Sequence, residues 1–251
     1  MKTVFSEETA SLREDITKCI ETFEHDGNTI SKARNTIKIF EFPDLRMNIK
    51  AFQKPNFINK IAYRFFRKSK AQRSFEHAEY LLKKGICTPK PIAYLQEDSG
   101  IFFGKSYYVS EHLEYDLTYR DIIHDQTFPN RHEILRQFTR FTHKLHENGI
   151  EFLDHSPGNT LIVINGNQYE FCLVDLNRMK FHENMDYNTR IGNFKKLTSD
   201  KNMVATMSGE YAKITGNDYH KIFSDMWGNT TKFQQHFHQR RKWKKMLKFW
   251  K

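Results

Sequence analysis

Asp154 and Asn159 stand five residues apart in Asp154-His155-Ser156-Pro157-Gly158-Asn159, and Asp175 follows in Leu173-Val174-Asp175-Leu176-Asn177. Phosphoryl transfer needs a carboxylate that orients an attacking hydroxyl and takes its proton. It also needs hard oxygen ligands that hold Mg²⁺ against nucleotide phosphates. A loop carrying Asp and then Asn supplies the base and one ligand, and a hairpin folding back delivers a second carboxylate. On this reading Asp154 is the base, and Asn159 and Asp175 are the metal ligands. The Asp-x4-Asn spacing alone is weak, since a turn former, a cap and a strand-end residue would produce it. The full order of capped helix, loop, strand, Asn-Gly turn, strand and Asp is far more specific.

The same chemistry needs a lysine on a central strand to hold the phosphates and a helix glutamate to hold the lysine. Lys50, in Asn48-Ile49-Lys50-Ala51-Phe52, precedes a helix that contains Glu76, with Glu79 one turn further on as its rival. Tyr107-Tyr108-Val109-Ser110-Glu111-His112-Leu113 falls where a strand would lead into a hinge between lobes. The backbone groups of Glu111, His112 and Leu113 would there bind adenine.

The elements that must position these groups are legible from periodicity. Leu12, Ile16, Cys19, Ile20 and Phe23 recur at helical spacing, with Ser11 and Glu14 placed for a capping box and Gly27 for a stop. Thr36–Phe42 and Leu45–Phe52 flank Pro43-Asp44, a hairpin signal. A helix is expected from near Ser69 to Lys84, ending at Gly85, and two more strands around Ile92–Leu95 and Lys105–His112. Asn130 and Glu133 can cap a helix whose stripe is Ile134, Leu135, Phe138, Phe141 and Leu145, ending at Gly149. Thr160–Ile164 and Tyr169–Val174 flank Asn165-Gly166-Asn167, where positive φ is tolerated and a hairpin follows. From about Asp186 the chain reads as helical.

These elements predict an α+β class with two lobes. Residues 1–112 form a small antiparallel β-rich N-lobe with an N-terminal helix and one helix carrying the glutamate. Residues 113–251 form a mainly helical C-lobe with the catalytic loop, the metal-binding hairpin and a basic C-terminal helix. The 251 residues suffice for a real core, and no apolar run approaches the roughly 18 residues that cross a bilayer. The N-terminus turns acidic before any signal-type segment forms, so a cytoplasmic protein is expected. Three cysteines, Cys19, Cys87 and Cys172, suggest neither a disulfide framework nor a zinc ribbon, and the 12 histidines lack metal-site spacing.

The net charge of +10 is concentrated. Leu45–Phe75 holds nine basic residues and no acid, and Met226–Lys251 holds eight and no acid. The rest of the chain has 23 cations against 30 acids, so the basic character belongs to two surfaces that would meet an anionic partner. Trp243, Met246, Leu247 and Trp250 recur at helical spacing among Arg240, Arg241, Lys244, Lys245, Lys248 and Lys251. That pattern suits an anionic membrane surface, with packing onto the second lobe as the alternative. Phe57, Ile58, Ile61, Tyr63, Phe65 and Phe66 within Lys54–Lys70 would line the acceptor side or pack beneath the lobe. Nucleic acid is not an expected partner, because no stacking platform or recognition helix is present.

Arg34-Asn35-Thr36-Ile37-Lys38, Lys54-Pro55-Asn56, Arg64-Phe65-Phe66-Arg67-Lys68-Ser69-Lys70-Ala71, Arg73-Ser74-Phe75-Glu76, Thr88-Pro89-Lys90-Pro91-Ile92-Ala93-Tyr94 and Val174-Asp175-Leu176-Asn177-Arg178 resemble the lipopolysaccharide kinase family of the Kdo/WaaP type. The resemblance covers roughly residues 28 to 215 and implies a protein-kinase-like fold. It implies Asp154 as base, Asn159 and Asp175 as Mg²⁺ ligands, Lys50 on the phosphates of ATP, and Glu76 positioning Lys50. It further implies phosphorylation of an inner-core sugar, Kdo or heptose on a lipid A precursor, at the inner face of the inner membrane.

Departures from protein kinases narrow the acceptor. Phe152-Leu153 stands where His-Arg would precede the base, Ser156 replaces the usual lysine two residues after it, and no Ala-Pro-Glu follows Asp175. Pro157-Gly158-Asn159 looks like the loop of aminoglycoside and choline kinases. Ser31-Lys32-Ala33-Arg34-Asn35 takes the place of a glycine-rich phosphate loop, where Arg34 would substitute with charge. The expected activity is ATP-dependent transfer to a sugar or glycolipid hydroxyl. The alternatives are a soluble small-molecule kinase of the aminoglycoside or choline type, or a non-catalytic kinase-fold module on an anionic surface.

Overall fold

A computed structural model describes residues 2–32, 34–53, 68–99 and 102–249. The aromatic-basic stretch lies outside the described residues from 54 to 67, as do the motif segments within it, Ala33 and Trp250. By internal contacts the chain divides into two units, Met1–Glu114 with Val174–Arg178, and Tyr115–Leu173 with Met179–Lys251.

The first unit is built on a six-stranded sheet in the order β1-β5-β6-β4-β3-β2, every neighbouring pair antiparallel. Its strands are β1 (Lys2–Phe5), β2 (Asn28–Lys32), β3 (Thr36–Phe42), β4 (Leu45–Phe52), β5 (Pro91–Ser99) and β6 (Phe102–Glu111). The expected hairpin at Pro43-Asp44 pairs Phe42 with Leu45 and Ile37 with Lys50. Strand alternation sends Met47 and Ile49 to one face of the sheet, where they pack with Ile16, Cys19 and Ile20 of α1 (Arg13–Glu21) and with Phe23 just beyond it. Each large apolar side chain buried there contributes about 1.5–3 kcal/mol. The capping box expected from Ser11 and Glu14 does not form. A 3₁₀ turn over Glu7–Leu12 runs straight into α1, so Leu12 occupies the cap position and no side chain caps it.

Phe52 points to the opposite face and meets Ala71 and Phe75 of α2 (Lys70–Lys83) together with Tyr94. Phe75 and Tyr94 stack edge to face at 5.4 Å. Ser69 caps α2, its hydroxyl accepting from the Gln72 amide at 3.0 Å, and Gly85 at φ +64° ends the turn beyond it.

The second unit is mainly helical. Its helices are α3 (Tyr119–His124), α4 (Arg131–Glu147), α5 (Tyr187–Asn193), α6 (Lys201–Thr215) and α7 (Tyr219–Phe249). The α4 stripe of Ile134, Leu135, Phe138 and Leu145 is fully buried, and α6 adds Met203, Val204, Met207 and Tyr211 to the core around it. Ile222 and Met226 of α7 close the same core. Asn130 does not cap α4 with its side chain. It takes a left-handed conformation, φ 57°, and Arg131 beside it is buried, its Nε donating to the Ile122 carbonyl at 2.8 Å.

Two small sheets complete the unit. β9 (Thr160–Asn165) and β10 (Gln168–Leu173) form the expected hairpin about Gly166 at φ +63°, and β7 (Leu117–Thr118) pairs with β9. β8 (Ile150–Phe152) pairs with β11 (Met179–Phe181), a ribbon too short to read from alternation. Among the described residues no helix is long and apolar enough to cross a membrane.

Candidate active site

In the first unit the alternation of β4 places Lys50 on the same face as Phe52, the face that carries α2. The Lys50 Nζ donates to Asp175 Oδ1 at 2.6 Å, with the side chains 13% and 28% exposed. Asn177 Nδ2 donates to the same oxygen at 2.6 Å. Asp175 adopts φ 59°, left-handed backbone that a non-glycine residue rarely takes. Such strain persists where the surroundings hold it and clusters at functional sites. Here the anchor is His77 of α2, whose Nδ1–H donates to the Leu176 carbonyl at 2.7 Å. Burial lowers the His77 pKa from the usual histidine value, with the bond to Leu176 acting against it.

Burial pushes the Asp175 carboxyl upward, but the Lys50 charge, the hydrogen bonds from Lys50 and Asn177 and the Arg34 charge together hold it below the ordinary range. Lys70 belongs to the same field. Burial and the Arg34 and Arg73 charges pull its ammonium below the usual lysine range, with Asp175 acting against them. The Lys50 and Lys70 ammoniums lie 5.3 and 5.9 Å from the Phe52 ring centre. Cations thus outnumber carboxylates at this spot, and an anion is the complement.

The glutamate expected to hold Lys50 has other partners. Glu76 accepts from Lys68 Nζ at 2.8 Å and from Gln72 Nε2 at 2.9 Å, while the ion pair of Lys50 is with Asp175. Burial raises the carboxyl pKa of the rival, Glu79. At the end of β6, the Glu111 amide donates to the Lys90 carbonyl at 2.9 Å and the His112 amide to the Arg46 carbonyl at 2.7 Å. Those two N–H groups are therefore spent within the sheet, and among the described residues the Leu113 amide makes no such backbone bond.

In the second unit Asp154 follows β8, on a loop anchored at three points. His155 is buried, its ring stacked on Phe138 at 5.3 Å and its Nε2 3.1 Å from the Thr142 hydroxyl. Burial, with the Lys196 charge adding to it, pushes its pKa down to about 3, so the ring is neutral. Asn193 Nδ2 donates to the Phe152 carbonyl at 2.9 Å. Lys196, in the 3₁₀ turn Phe194–Lys196 after α5, donates to the Leu153 carbonyl at 2.5 Å and to Asp154 Oδ1 at 3.2 Å. Asn159 closes the loop, its Nδ2 donating to the Asp154 carbonyl at 2.8 Å.

Beneath the loop lies a polar relay. With Asn193 Nδ2 given to Phe152, its Oδ1 must accept from His146 Nε2, 3.4 Å away, which leaves His146 Nδ1 to accept from the Tyr211 hydroxyl at 2.9 Å. Burial drives the His146 pKa to about 3, so this neutral tautomer is the one that holds the relay.

The model of the lipopolysaccharide kinase (Kdo/WaaP) family matches residues 46–225, well over half of the sequence. The chain belongs to the lipopolysaccharide kinase (Kdo/WaaP) family. No curated protein matches it. Among solved structures it is similar to WaaP in complex with acyl carrier protein, at 13% identity and a TM-score of 0.62, covering 95% of this chain and 99% of that one. It is also matched by the kinase domain of Mycobacterium tuberculosis PknI, C20A_R136A double mutant, at 13% identity and a TM-score of 0.41, covering 77% and 74%. The fold is protein-kinase-like, and membership of a kinase family implies ATP as the phosphoryl donor.

In this lipopolysaccharide kinase both donors to Asp175 take Oδ1, and in the second unit the amide nitrogen of Asn159 bonds to the Asp154 carbonyl of its own loop. Carboxylate and amide oxygens are of the hard kind that Mg²⁺ takes. The residues that sequence reasoning missed are His77, His146, Asn193 and Lys196. Lys196 stands 42 residues beyond Asp154 in an ordinary Lys-Lys pair, and only the fold of α5 and its 3₁₀ turn brings it to the loop. The His146 relay is likewise invisible to spacing, because its members come from three separate helices and a strand end.

Proposed function

We propose that this kinase transfers the γ-phosphoryl group of ATP to a hydroxyl of a lipopolysaccharide inner-core sugar, Kdo or heptose on a lipid A precursor. Asp154 accepts the proton of the attacking hydroxyl, Lys50 and Arg34 bind the phosphates, and Asn159 and Asp175 hold Mg²⁺. When bound, that ion neutralises charge on the phosphates during transfer. Adenine is read by the backbone of Glu111, His112 and Leu113, with the Leu113 amide the donor, since the other two are engaged. Glu76, which accepts from Lys68 in this structure, is the glutamate that would position Lys50.

The observation that carries this reading is the 2.6 Å pairing of Lys50 with Asp175 across 125 residues, in a chain of a lipopolysaccharide kinase family. The acceptor side is supported by α7. Trp243 and Met246 are 65% and 50% exposed on a helix that also carries Arg240, Arg241, Lys242, Lys244 and Lys245. That exposure supports peripheral attachment to an anionic membrane on the cytoplasmic side. Incubation of core glycolipid with the protein, ATP and Mg²⁺, followed by mass spectrometry, tests the proposal. One added phosphate on the glycolipid supports it, while phosphorylation of free amino alcohols or aminoglycosides alone replaces it with a soluble small-molecule kinase.

A further inference from the structure

The loop around Asp154 lacks a cation of its own. Ser156 stands two residues after the base, and Phe152 and Leu153 precede it. A hydroxyl attacking phosphorus from Asp154 develops negative charge on the oxygens of the transferred group, beside a carboxylate that is itself negative. Without a positive group at that point the base repels the phosphoryl it must serve.

The Arg120 guanidinium comes against the loop at Gly158, and Lys196 brings a positive charge from another segment to Asp154 itself. Its ammonium lies 3.2 Å from Asp154 Oδ1 and 2.5 Å from the Leu153 carbonyl oxygen. The two side chains are equally enclosed, each 23% exposed, so the charge is neither fully buried nor a solvated surface cation. An ammonium has three protons. Two are committed among the described residues, to a carbonyl that fixes its position and to the carboxylate. That leaves a third N–H. Asn193, three residues earlier, is bound to the Phe152 carbonyl, so the turn that carries Lys196 is registered against the loop by two adjacent backbone anchors.

We propose that Lys196 is a catalytic residue of this phosphotransferase, donating its third N–H to a non-bridging oxygen of the γ-phosphoryl group during transfer. The inference rests on the reading of Asp154 as the base. In the step, the acceptor oxygen forms a bond to the γ-phosphorus and its proton passes to Asp154. The bond between that phosphorus and the β,γ-bridging oxygen breaks, and ADP leaves with the electron pair. Lys196 keeps its three protons throughout and moves none. Its role is charge stabilisation, and it also keeps the carboxylate directed at the hydroxyl.

The test compares Lys196→Met and Lys196→Arg with the wild-type protein in transfer to core glycolipid, and in binding of MgADP with and without aluminium fluoride. Removal of one such donor costs on the order of 10²-fold in kcat. Lys196→Met is expected to lose about that much in kcat, with the KM for ATP changed less than threefold. Lys196→Arg is expected to recover to within about tenfold of wild type. Lys196→Met is further expected to keep its affinity for MgADP and to lose the tightening that aluminium fluoride confers, which a purely structural lysine would not separate. A kcat within threefold of wild type in Lys196→Met overturns the inference alone, as does an equal loss of MgADP and fluoroaluminate affinity. A wild-type protein that neither transfers phosphate nor binds MgADP overturns the phosphotransfer reading and this one with it.

Discussion

The Lys50 ammonium and the Asp175 carboxylate meet at 2.6 Å although 125 residues separate them, and the aspartate is held in left-handed backbone to do so. The pair joins the central strand β4 to the segment Val174–Arg178, which belongs by its contacts to the same unit. A carboxylate that pairs with a lysine and a neighbouring amide through one oxygen keeps the other for a cation.

Asp175→Asn retains a side chain tolerant of positive φ, so the backbone is expected to stand while the negative charge is lost. Transfer should fall by about 10³-fold or more, and the thermal midpoint should change little. Steady-state kinetics with a melting curve on the same sample decides it. A variant of near wild-type turnover removes Asp175 from the reaction.

Asp154→Asn should likewise abolish transfer, by at least about 10³-fold, while leaving the loop anchored through His155, Asn193 and Lys196. Nucleotide affinity, measured by calorimetry, is expected to stay within threefold of wild type because this residue acts on the acceptor. Turnover within tenfold of wild type would show that another group takes the proton.

The buried histidines make the fold acid-labile in a defined window. His146 and His155 are neutral in the folded state, with pKa values pushed down to about 3, and ordinary, about 6.5, when unfolded. The unfolded chain therefore binds more protons below pH ~6.5, so stability is full above that value and falls as the pH drops towards about 3. Each histidine contributes a slope of about 1.4 kcal/mol per pH unit within the window. Asp175, with a lowered pKa, contributes in the same direction only below the usual carboxylate range, pH ~3.9. Urea unfolding at pH 7, 5.5 and 4.5 measures the slope, and a flat profile contradicts the neutral assignment.

Gly149 ends α4 at φ +68°, and its amide and carbonyl bond to the His146 carbonyl and the His182 amide at 3.0 and 2.8 Å. A Cβ there would collide with the His182 carbonyl oxygen, a backbone atom with no room to retreat. Gly149→Ala is expected to cost more than Gly216→Ala, which shares a positive φ but meets open space and should lose about 1 kcal/mol. Denaturant midpoints of the two variants give the comparison. Equal losses would show that the β8–β11 ribbon yields at this point.

The exposed stripe of α7 makes a separate prediction. Trp243→Ala with Met246→Ala, and Lys244→Glu with Lys245→Glu, should each weaken sedimentation with anionic vesicles several-fold. The core at Ile222 and Met226 is untouched, so the melting temperature should not move. Loss of stability without loss of vesicle binding would assign the stripe to packing.

Local pattern determined much of this molecule. Alternation in Thr36–Phe42 and Leu45–Phe52, the Asn-Gly turn at residues 165 and 166 and the apolar stripe of α4 each specify an element through contacts among near neighbours. The order of Asp154, Asn159 and Asp175 pointed to phosphoryl transfer, because the chemistry constrains residue type and spacing together. Capping was read less well: Ser11 and Asn130 have the right side chains, but a 3₁₀ turn and a left-handed entry take over at those ends.

What only the tertiary structure decided are relationships between residues far apart in the chain. Spacing could place Lys50 on a strand, but not show that its partner is Asp175 while Glu76 goes to Lys68. Lys196 reaches Asp154, and His146 reaches Asn193 and Tyr211, because helices from different parts of the second unit pack on one core. Burial then turns His146 and His155 neutral, while the Lys50 charge and the hydrogen bonds from Lys50 and Asn177 hold the Asp175 carboxyl below its ordinary range against the burial that would raise it. Periodicity reports only the neighbours a residue has along its own element, whereas electrostatics depends on every group that folding brings within a few ångströms.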